Sequence, residues 1–246
     1  MPPPPTFDVR LARARMLAPH VRELGFERSD GVPFEFQAGQ WVSLVLPLAE
    51  GEARRAYSIA SAPNATPGFE VAVTKVEGGP GSTYLHELPI GGTLRAIGPQ
   101  GFFTRPRAAG HPSLFVGTGT GVTPLRSMIN DSLAAGETTP MRLLFGVRYE
   151  VDRLYRDELE ALEAQHPNFR ASYTISRPGP DWQGRTGYVQ THVEALWREL
   201  EAAGGAAAGP PHVYVCGLER MVGAVRDLLR KQMGVDRKLV HSERYD

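Results

Sequence analysis

The chain has 246 residues, and its 27 Lys and Arg residues balance 27 Asp and Glu residues, so the formal net charge is zero. This length allows one large domain or two modest ones. Because the charges are balanced in each half as well, nucleic acid is not expected as a partner. The single cysteine, Cys216, excludes an intrachain disulfide and an iron–sulfur cluster held by four thiolates of this chain.

The N-terminal region lacks the apolar segment of a signal peptide, and the longest apolar stretch, Trp41 to Ala49, is interrupted by Ser43 and Pro47. We therefore expect a cytoplasmic protein with no membrane association. The seven histidines are scattered, without an HxxxH pair or a carboxylate cluster at ligand spacing. No metal site is predicted.

The first hundred residues show the pattern of β-strands. Apolar side chains alternate with polar ones near Phe7 and Phe69, and a short apolar run covers Trp41 to Leu46. Turn sequences such as GVP, APNATPG and EGGPG separate the strands at short intervals, which favours a small antiparallel barrel. One helix, at about Thr83 to Leu88, interrupts it.

From residue 113 apolar runs alternate with helical patterns, which predicts an α/β domain with a parallel sheet. The predicted strands are Ser113 to Val116, Met141 to Val147, Phe169 to Ile175, His212 to Val215 and Lys238 to Val240. The predicted helices are Pro124 to Ala135, Asp157 to Gln165, Gln190 to Ala203 and Glu219 to Met233. The linker candidate is RPRAAGHP, so the predicted domains are residues 1–107 and 111–246.

The strongest local motif is SLFVGTGTGVTPLRSM. Gly117, Gly119 and Gly121 allow a tight turn after a strand, and the helix starting near Pro124 offers free N–H groups and a positive dipole end to a diphosphate. The motif does not match the GxGxxG dinucleotide fingerprint. Taken alone, it is equally consistent with a tight turn that binds nothing.

A second motif, Arg55-Ala56-Tyr57-Ser58, ends a predicted strand. Arginine pairs with phosphate, an aromatic ring stacks on a planar ring, and a hydroxyl bonds a ring edge. The alternative is a strand with exposed arginine and buried tyrosine. A third motif opens a helix with the amides of Gly81, Ser82 and Thr83, which suit an anion, or simply form a turn with a serine cap.

Together with FQAGQWV before them and VYVCGLERMV and SERYD after them, these motifs resemble the ferredoxin–NADP reductase family. They follow the family order and cover both halves of the chain. The resemblance implies a flavin-binding antiparallel barrel followed by a nicotinamide-nucleotide-binding α/β domain, with FAD and NADP(H) as cofactors.

The resemblance also implies roles for the flavin-side residues. Arg55 is expected at the flavin phosphate, Tyr57 on the isoalloxazine ring and Ser58 near its N5. Two further flavin-binding segments are matched by Ala72, Val73, Thr74, Gly81 and Ser82.

On the nucleotide side, the resemblance places the loop Gly117-Thr118-Gly119-Thr120-Gly121 beside the pyridine nucleotide, with Thr120 between the cofactors. Cys216-Gly217 matches a pair whose thiol lies by the nicotinamide, although a lone cysteine is otherwise usually a buried apolar residue. Glu243 is expected in the active-site network and Tyr245 over the flavin. The sequence departs from the family where Asp246 follows this tyrosine, and two carboxylates there could hold the tail in water.

The 2′-phosphate of NADP is expected at Ser176, Arg177, Arg185 and Tyr188, because the segment SRPGPDWQGRTGYVQ resembles the corresponding stretch of the family. Guanidinium and hydroxyl groups suit a dianionic phosphate, whereas a ribose diol favours a carboxylate. The Ser-Arg-Pro triplet also occurs in NADH-using relatives, which leaves NADH open.

The implied activity is hydride transfer between NADPH and FAD, followed by single-electron transfer to a separate carrier such as ferredoxin or flavodoxin. One alternative is the NADH-dependent reductase component of an oxygenase, or a free flavin reductase. Another is a non-catalytic flavin-binding docking subunit, which would not need Ser58, Cys216 and Glu243 together. The oligomeric state is not predicted.

Overall fold

A six-stranded antiparallel sheet forms the N-terminal half of the computed structural model, which describes residues 5–65, 67–205 and 208–245. Its elements are β1 (Phe7–Ala18), β2 (Val21–Arg28), β3 (Trp41–Leu48), β4 (Gly51–Ser58), β5 (Phe69–Thr74), α1 (Pro80–Glu87) and β6 (Thr93–Gln100). The strand order is β4-β3-β6-β1-β2-β5, and the edge strands β4 and β5 contact each other, so the sheet curls into the predicted barrel.

Helix α1 is fixed to the barrel at its C-terminal end. The Arg22 guanidinium donates to the carbonyl oxygens of Leu85, His86 and Leu88 at 2.7–3.0 Å, which satisfies carbonyls that a helix end leaves without partners. The Leu85 side chain is fully buried in the barrel core. The N-terminus of α1 is thereby held beside the ends of β4 and β5.

The C-terminal half has six parallel strands with helices on both faces, as predicted. Its elements are β7 (Ser113–Thr118), α2 (Val122–Ala134), β8 (Met141–Val147), α3 (Arg156–Gln165), β9 (Phe169–Ile175), β10 (Arg185–Thr186), α4 (Val193–Gly204), β11 (His212–Leu218), α5 (Glu219–Asp227) and β12 (Val240–Tyr245). The strand order is β10-β9-β8-β7-β11-β12. Strands β8 to β10 are added on one side of β7, and β11 and β12 on its other side, so the order of strands reverses between β7 and β11 while all strands stay parallel. Ligands of such sheets bind outside the carboxyl ends of the strands at this reversal.

Two elements differ from the sequence prediction near the C-terminus. The helix predicted to reach Met233 leaves α-helical geometry after Asp227 and continues as the π-helical turn Leu228–Gln232. The last strand starts at Val240, two residues later than predicted, because the Asp236 carboxylate accepts from the Lys238 N–H and caps a 3₁₀ turn there. The predicted domain boundary lies between the last barrel strand and β7 and stays a prediction.

Candidate active site

A cleft of about 420 Å³ lies where the barrel meets the carboxyl ends of the parallel strands. Both halves contribute to its walls. The barrel side consists of Arg55, Ala56, Tyr57, Ser58, Ala72, Thr74, Val76, Gly79, Pro80, Gly81 and Ser82, and the α/β side of Thr120, Thr123 and Tyr245. The cleft therefore brings most of the flavin-side residues selected from the sequence motifs together with Thr120 and Tyr245 of the α/β half.

The end of β4 carries the barrel wall. Ser58 pairs with Trp41 across the β3–β4 ladder and is 5% exposed, while Arg55 is exposed and lies beside Gly81. A Cβ atom at Gly81 would lie 3.5 Å from the Arg55 side chain and 3.2 Å from Leu46, so glycine leaves room between the helix and the arginine. This gap places a guanidinium next to a helix N-terminus, an arrangement that suits a phosphate.

The predicted anion donors at α1 need one correction. The Thr83 N–H donates to the Gly79 carbonyl at 3.0 Å as the first bond of the helix, and Thr83 does not line the cleft. Gly81 and Ser82 do line it and offer their N–H groups. The Ser82 hydroxyl is engaged within the loop, where it accepts from the Val76 N–H at 3.0 Å.

Strand β5 contributes alternate residues only. Ala72 and Thr74 line the cleft, whereas the Val73 side chain is 1% exposed in the barrel core. Successive side chains of a strand point to opposite faces. Any contact of Val73 with a ligand is therefore restricted to its backbone.

The glycine loop packs tightly against β11. A Cβ atom at Gly121 would overlap the Cys216 carbonyl, and one at Gly217 would overlap the Thr118 hydroxyl. Gly119 has φ +53°, which favours glycine. The 3₁₀ turn Gly119–Gly121 leads directly into α2, so the loop is held at the end of the sheet.

Two residues of this loop region face the cleft. Thr120 and Thr123 line it, and the Thr123 hydroxyl donates to the Thr120 carbonyl at 2.8 Å. Pro124 is buried as the third residue of α2, which begins two residues earlier than predicted. Thr123 was not selected from the sequence, although its position directly before Pro124, where the helix was predicted to start, was the available signal.

Three adjacent parallel strands place Gly117, Cys216 and Glu243 in one row across the sheet. Cys216 is fully buried in the core, and burial raises the pKa of its thiol. It lies beside the Tyr245 hydroxyl and does not line the cleft itself. The thiol is therefore not open to the cleft in this structure.

Strand β12 brings Glu243 and Tyr245 to Ser58. The Ser58 hydroxyl donates to Glu243 Oε2 at 3.3 Å and shares a 2.9 Å hydrogen bond with the Tyr245 hydroxyl. Burial raises the pKa of Glu243 to about 7, against a smaller lowering effect of the Ser58 hydrogen bond. A carboxyl group that titrates near neutrality is suited to accepting and returning a proton.

Tyr245 lies in the last strand of the sheet and packs against the core. Its ring is thus held at the cleft. Tyr245 is therefore not part of a C-terminal tail that extends into water. Asp246 lies outside the described residues.

A second set of polar side chains lies near the carboxyl ends of β8 and β9. The Arg177 guanidinium donates to the Tyr149 hydroxyl at 3.2 Å, which raises the pKa of Arg177. Ser176 and Tyr188 are exposed, and Arg185 lies in the short strand β10. Tyr149 was missed in the sequence because its contact with Arg177 depends on two strands ending side by side.

The residue types of the cleft fit a flavin nucleotide. An arginine and two helix N–H groups suit its phosphate, two tyrosines suit a planar ring, and a serine–glutamate pair suits a ring nitrogen. The cleft volume of about 420 Å³ is within the range of small-molecule sites, roughly 300–1,000 Å³.

The described residues contain no cluster of metal-ligating side chains. Within the same ranges, no helix is both long and apolar enough to cross a membrane.

Comparisons with known proteins agree with this arrangement. Residues 8–104 match the oxidoreductase FAD-binding domain and residues 115–227 the oxidoreductase NAD-binding domain. The chain is 60% identical to ferredoxin–NADP reductase B of Sorangium cellulosum over 98% of both chains. It is 35% identical to the phenol hydroxylase P5 protein of Acinetobacter pittii, over 87% of this chain and 58% of that protein.

Among solved structures, the ferredoxin–NADP⁺ reductase of Plasmodium falciparum with 2′P-AMP superposes with a TM-score of 0.80 at 23% identity. The match covers 98% of this chain and 96% of that one.

The fold and the cleft define an oxidoreductase that binds FAD in its barrel half and a nicotinamide nucleotide in its α/β half. Within this class, the chain belongs to the ferredoxin–NADP reductase family.

Proposed function

We propose that the protein transfers hydride between NADPH and FAD and single electrons between FAD and a separate carrier protein, either a ferredoxin or a flavodoxin. The observation that carries this proposal is the pair of hydrogen bonds that Ser58, from the barrel, makes with Glu243 and Tyr245, from the parallel sheet, at the wall of the cleft. FAD, when bound, supplies the exchange between a hydride and two single electrons.

The barrel residues hold the flavin in this proposal. Arg55 and the N–H groups of Gly81 and Ser82 bind its phosphate, and Tyr57 packs against the ring system. Ser58 donates to the ring nitrogen N5. Glu243 exchanges a proton with the Ser58 hydroxyl, since the two are 3.3 Å apart and the carboxyl group has a pKa of about 7.

The α/β half holds the nucleotide. The loop Gly117–Gly121 and the start of α2 bind its diphosphate, and Thr120 separates the two cofactors. The Tyr245 side chain would have to move aside for a nicotinamide to be held beside Cys216, because its hydroxyl lies next to the thiol.

NADPH is favoured over NADH by the Arg177–Tyr149 pair, which holds a guanidinium at the carboxyl edge of the sheet, where the 2′-phosphate is expected. Ser176, Arg185 and Tyr188 complete this subsite in the proposal. The name of the 60% identical relative supports the same nucleotide.

The second candidate is an NADH-dependent reductase component of an oxygenase. The observation that favours it is the 35% identity to the phenol hydroxylase P5 protein. This chain spans 58% of that protein, and its single cysteine provides no four-thiolate cluster. An oxygenase reductase built from this chain would therefore also need a separate one-electron carrier.

The test is an absorbance spectrum followed by anaerobic titration with NADPH and NADH. We expect a yellow protein with one FAD that NADPH bleaches at lower concentration than NADH, and reduction of cytochrome c only when a ferredoxin or flavodoxin is added. Preference for NADH would favour the oxygenase component. Flavin that neither nucleotide reduces would favour a docking subunit, and protein that takes up no flavin would refute the proposal.

A further inference from the structure

The barrel and the α/β half are joined behind the cleft by the Arg126 side chain of α2. Its Nη1 donates to the Ala60 carbonyl and to Glu70 Oε2, both at 2.9 Å. Its Nε and Nη2 donate to the two oxygens of Glu158, both at 2.8 Å. Arg126 thus uses its planar fork to connect a barrel loop, a barrel strand and helix α3.

This junction is largely closed to water on its barrel side. The Arg126 side chain is 10% exposed, and those of Glu70 and Glu23 are 12% and 6% exposed, whereas Glu158 on helix α3 is 30% exposed. Arg13 and Arg15 pair with the same two carboxylates from the barrel side, at 3.0 Å and 2.5 Å. An ion pair buried to this extent is held in one geometry, since separating it would leave unpaired charge in a medium of low dielectric constant.

The residues of this junction lie close along the chain to residues that line the cleft, both in the barrel and on α2. Ala60 follows Ser58 by two residues, and Arg126 follows Thr123 by three residues on α2. A neighbouring bond repeats the connection, because the Ser127 hydroxyl donates to the Ser61 carbonyl at 2.7 Å. The separation between the flavin-side strand and the nucleotide-side helix is therefore fixed at this point.

We propose that Arg126 is a positioning residue, which sets the distance and angle between the flavin ring and the nicotinamide and thereby the rate of hydride transfer, without touching either cofactor. This inference rests on the proposed function. A lysine at this position can present one point charge but cannot donate to Glu158 and Ala60 with fixed directions.

The test compares Arg126→Met and Arg126→Lys with Arg142→Met in the FAD-loaded protein. Arg142 is a matched control, because its side chain is 13% exposed and pairs with Glu199 at 2.6 Å within the α/β half. We expect Arg126→Met to retain FAD and NADPH affinity but to lower the stopped-flow rate of flavin reduction at saturating NADPH, on the order of 10- to 100-fold. Arg126→Lys should recover part of this loss, and Arg142→Met should reduce at the parent rate.

Amide hydrogen exchange gives a readout that does not depend on catalysis. We expect faster exchange in residues 59–62 and 117–123 of Arg126→Met, with the same segments unchanged in Arg142→Met. A flavin-reduction rate within twofold of the parent in a folded Arg126→Met protein would overturn the inference, even if its melting temperature fell.

Two milder variants keep the inference testable if Arg126→Met does not fold. Glu158→Gln keeps the size of the side chain but removes its charge and one of the two oxygens that accept from Arg126. Ser127→Ala removes the neighbouring bond. Each should slow flavin reduction about three- to tenfold, the range expected when a hydrogen bond of roughly 0.7–1.4 kcal/mol is lost. Parent rates in both would overturn the inference, whereas a parent protein that NADPH does not reduce would instead refute the proposed function.

Discussion

The Ser58 hydroxyl and the Glu243 carboxylate are 3.3 Å apart although 185 residues separate them in the chain. One side chain belongs to the antiparallel barrel and the other to the parallel sheet. Their contact makes the protonation state of Glu243 a property of the assembled cleft, because burial between the two halves raises its pKa to about 7.

We expect electron delivery from NADPH to rise with pH through about 7, because the ionised form of Glu243 accepts the proton that leaves by way of Ser58. Glu243→Gln should remove this pH dependence and slow turnover, on the order of 100-fold. The measurement is the rate against pH from 5.5 to 8.5, with the exposed Glu219→Gln as control. A pH profile shared by the parent and Glu243→Gln would show that another group titrates.

Arg177→Ala should weaken NADPH binding much more than NADH binding. The lost bond is charge-assisted and typically worth about 1.5–3 kcal/mol, roughly 10- to 150-fold in dissociation constant. Binding constants for both nucleotides measure this effect, with Arg170→Ala, near the start of strand β9 and far from its carboxyl end, as control. Equal losses for NADPH and NADH would mean that Arg177 does not contact the 2′-phosphate.

Tyr245→Ser should bind NADP more tightly, because nicotinamide no longer has to displace an aromatic ring. A stacked pair contributes about 0.5–1.5 kcal/mol, so the dissociation constant should fall roughly 2- to 13-fold. Tyr245→Phe keeps the ring but loses the 2.9 Å bond to Ser58, and it should bind NADP as the parent does. Unchanged affinity and an unchanged flavin spectrum in Tyr245→Ser would show that this ring does not cover the flavin.

Cys216→Ala should retain FAD, since Cys216 does not line the flavin cleft, and it should slow flavin reduction by NADPH. The thiol is fully buried next to Tyr245, so the melting temperature controls for the loss of packing. Normal hydride transfer combined with lower stability would identify Cys216 as a core residue only.

The free energy of unfolding should fall at acidic pH because the imidazole rings of His111, His212 and His241 stack on one another. His212 lies 3.6 Å from the His111 ring, and its Nδ1 is 3.1 Å from Nε2 of His241. Burial, the two neighbouring histidines and Arg105 lower the pKa of His212 to about 4.

The unfolded chain therefore binds the proton first, and the free energy of unfolding decreases as the pH falls from about 6.5 towards 4. Denaturant unfolding of His212→Asn at pH 7 and pH 5 should show less of this decrease, with the exposed His20→Asn as control. An identical decrease in the parent and in His212→Asn would assign it elsewhere. Two other groups face this cluster. Tyr214 stays protonated throughout this range, whereas the lowered pKa of Glu137 adds to the decrease only towards its acid end, near pH 4.5 and below.

Periodicity and local motifs predicted much of the molecule. Strands β7 and β8 are buried and mostly apolar, and such runs are visible without knowledge of their neighbours. Strand β12 is different, because it is an edge strand of mostly half-buried polar residues and its pattern is weak. Its start was therefore placed too early.

Contacts between the halves could not be predicted in the same way. In the sequence, Arg126 cannot be distinguished from an ordinary charged residue of an amphipathic helix. Its contacts with Glu70 and Ala60 form only because α2 packs against the barrel. Tyr149 and Arg177 likewise meet because β8 and β9 end together. Sequence patterns predict single elements, whereas these pairs depend on how the elements pack.

The separation of Ser58 and Glu243 along the chain also bears on how the protein folds. The barrel and the outer face of the parallel sheet each have their own apolar cluster, so each half can collapse through comparatively local contacts. Joining residues 185 positions apart is entropically costly until both halves are largely formed. We therefore expect the cleft to be the last region to assemble, so that the flavin binds after both halves have folded.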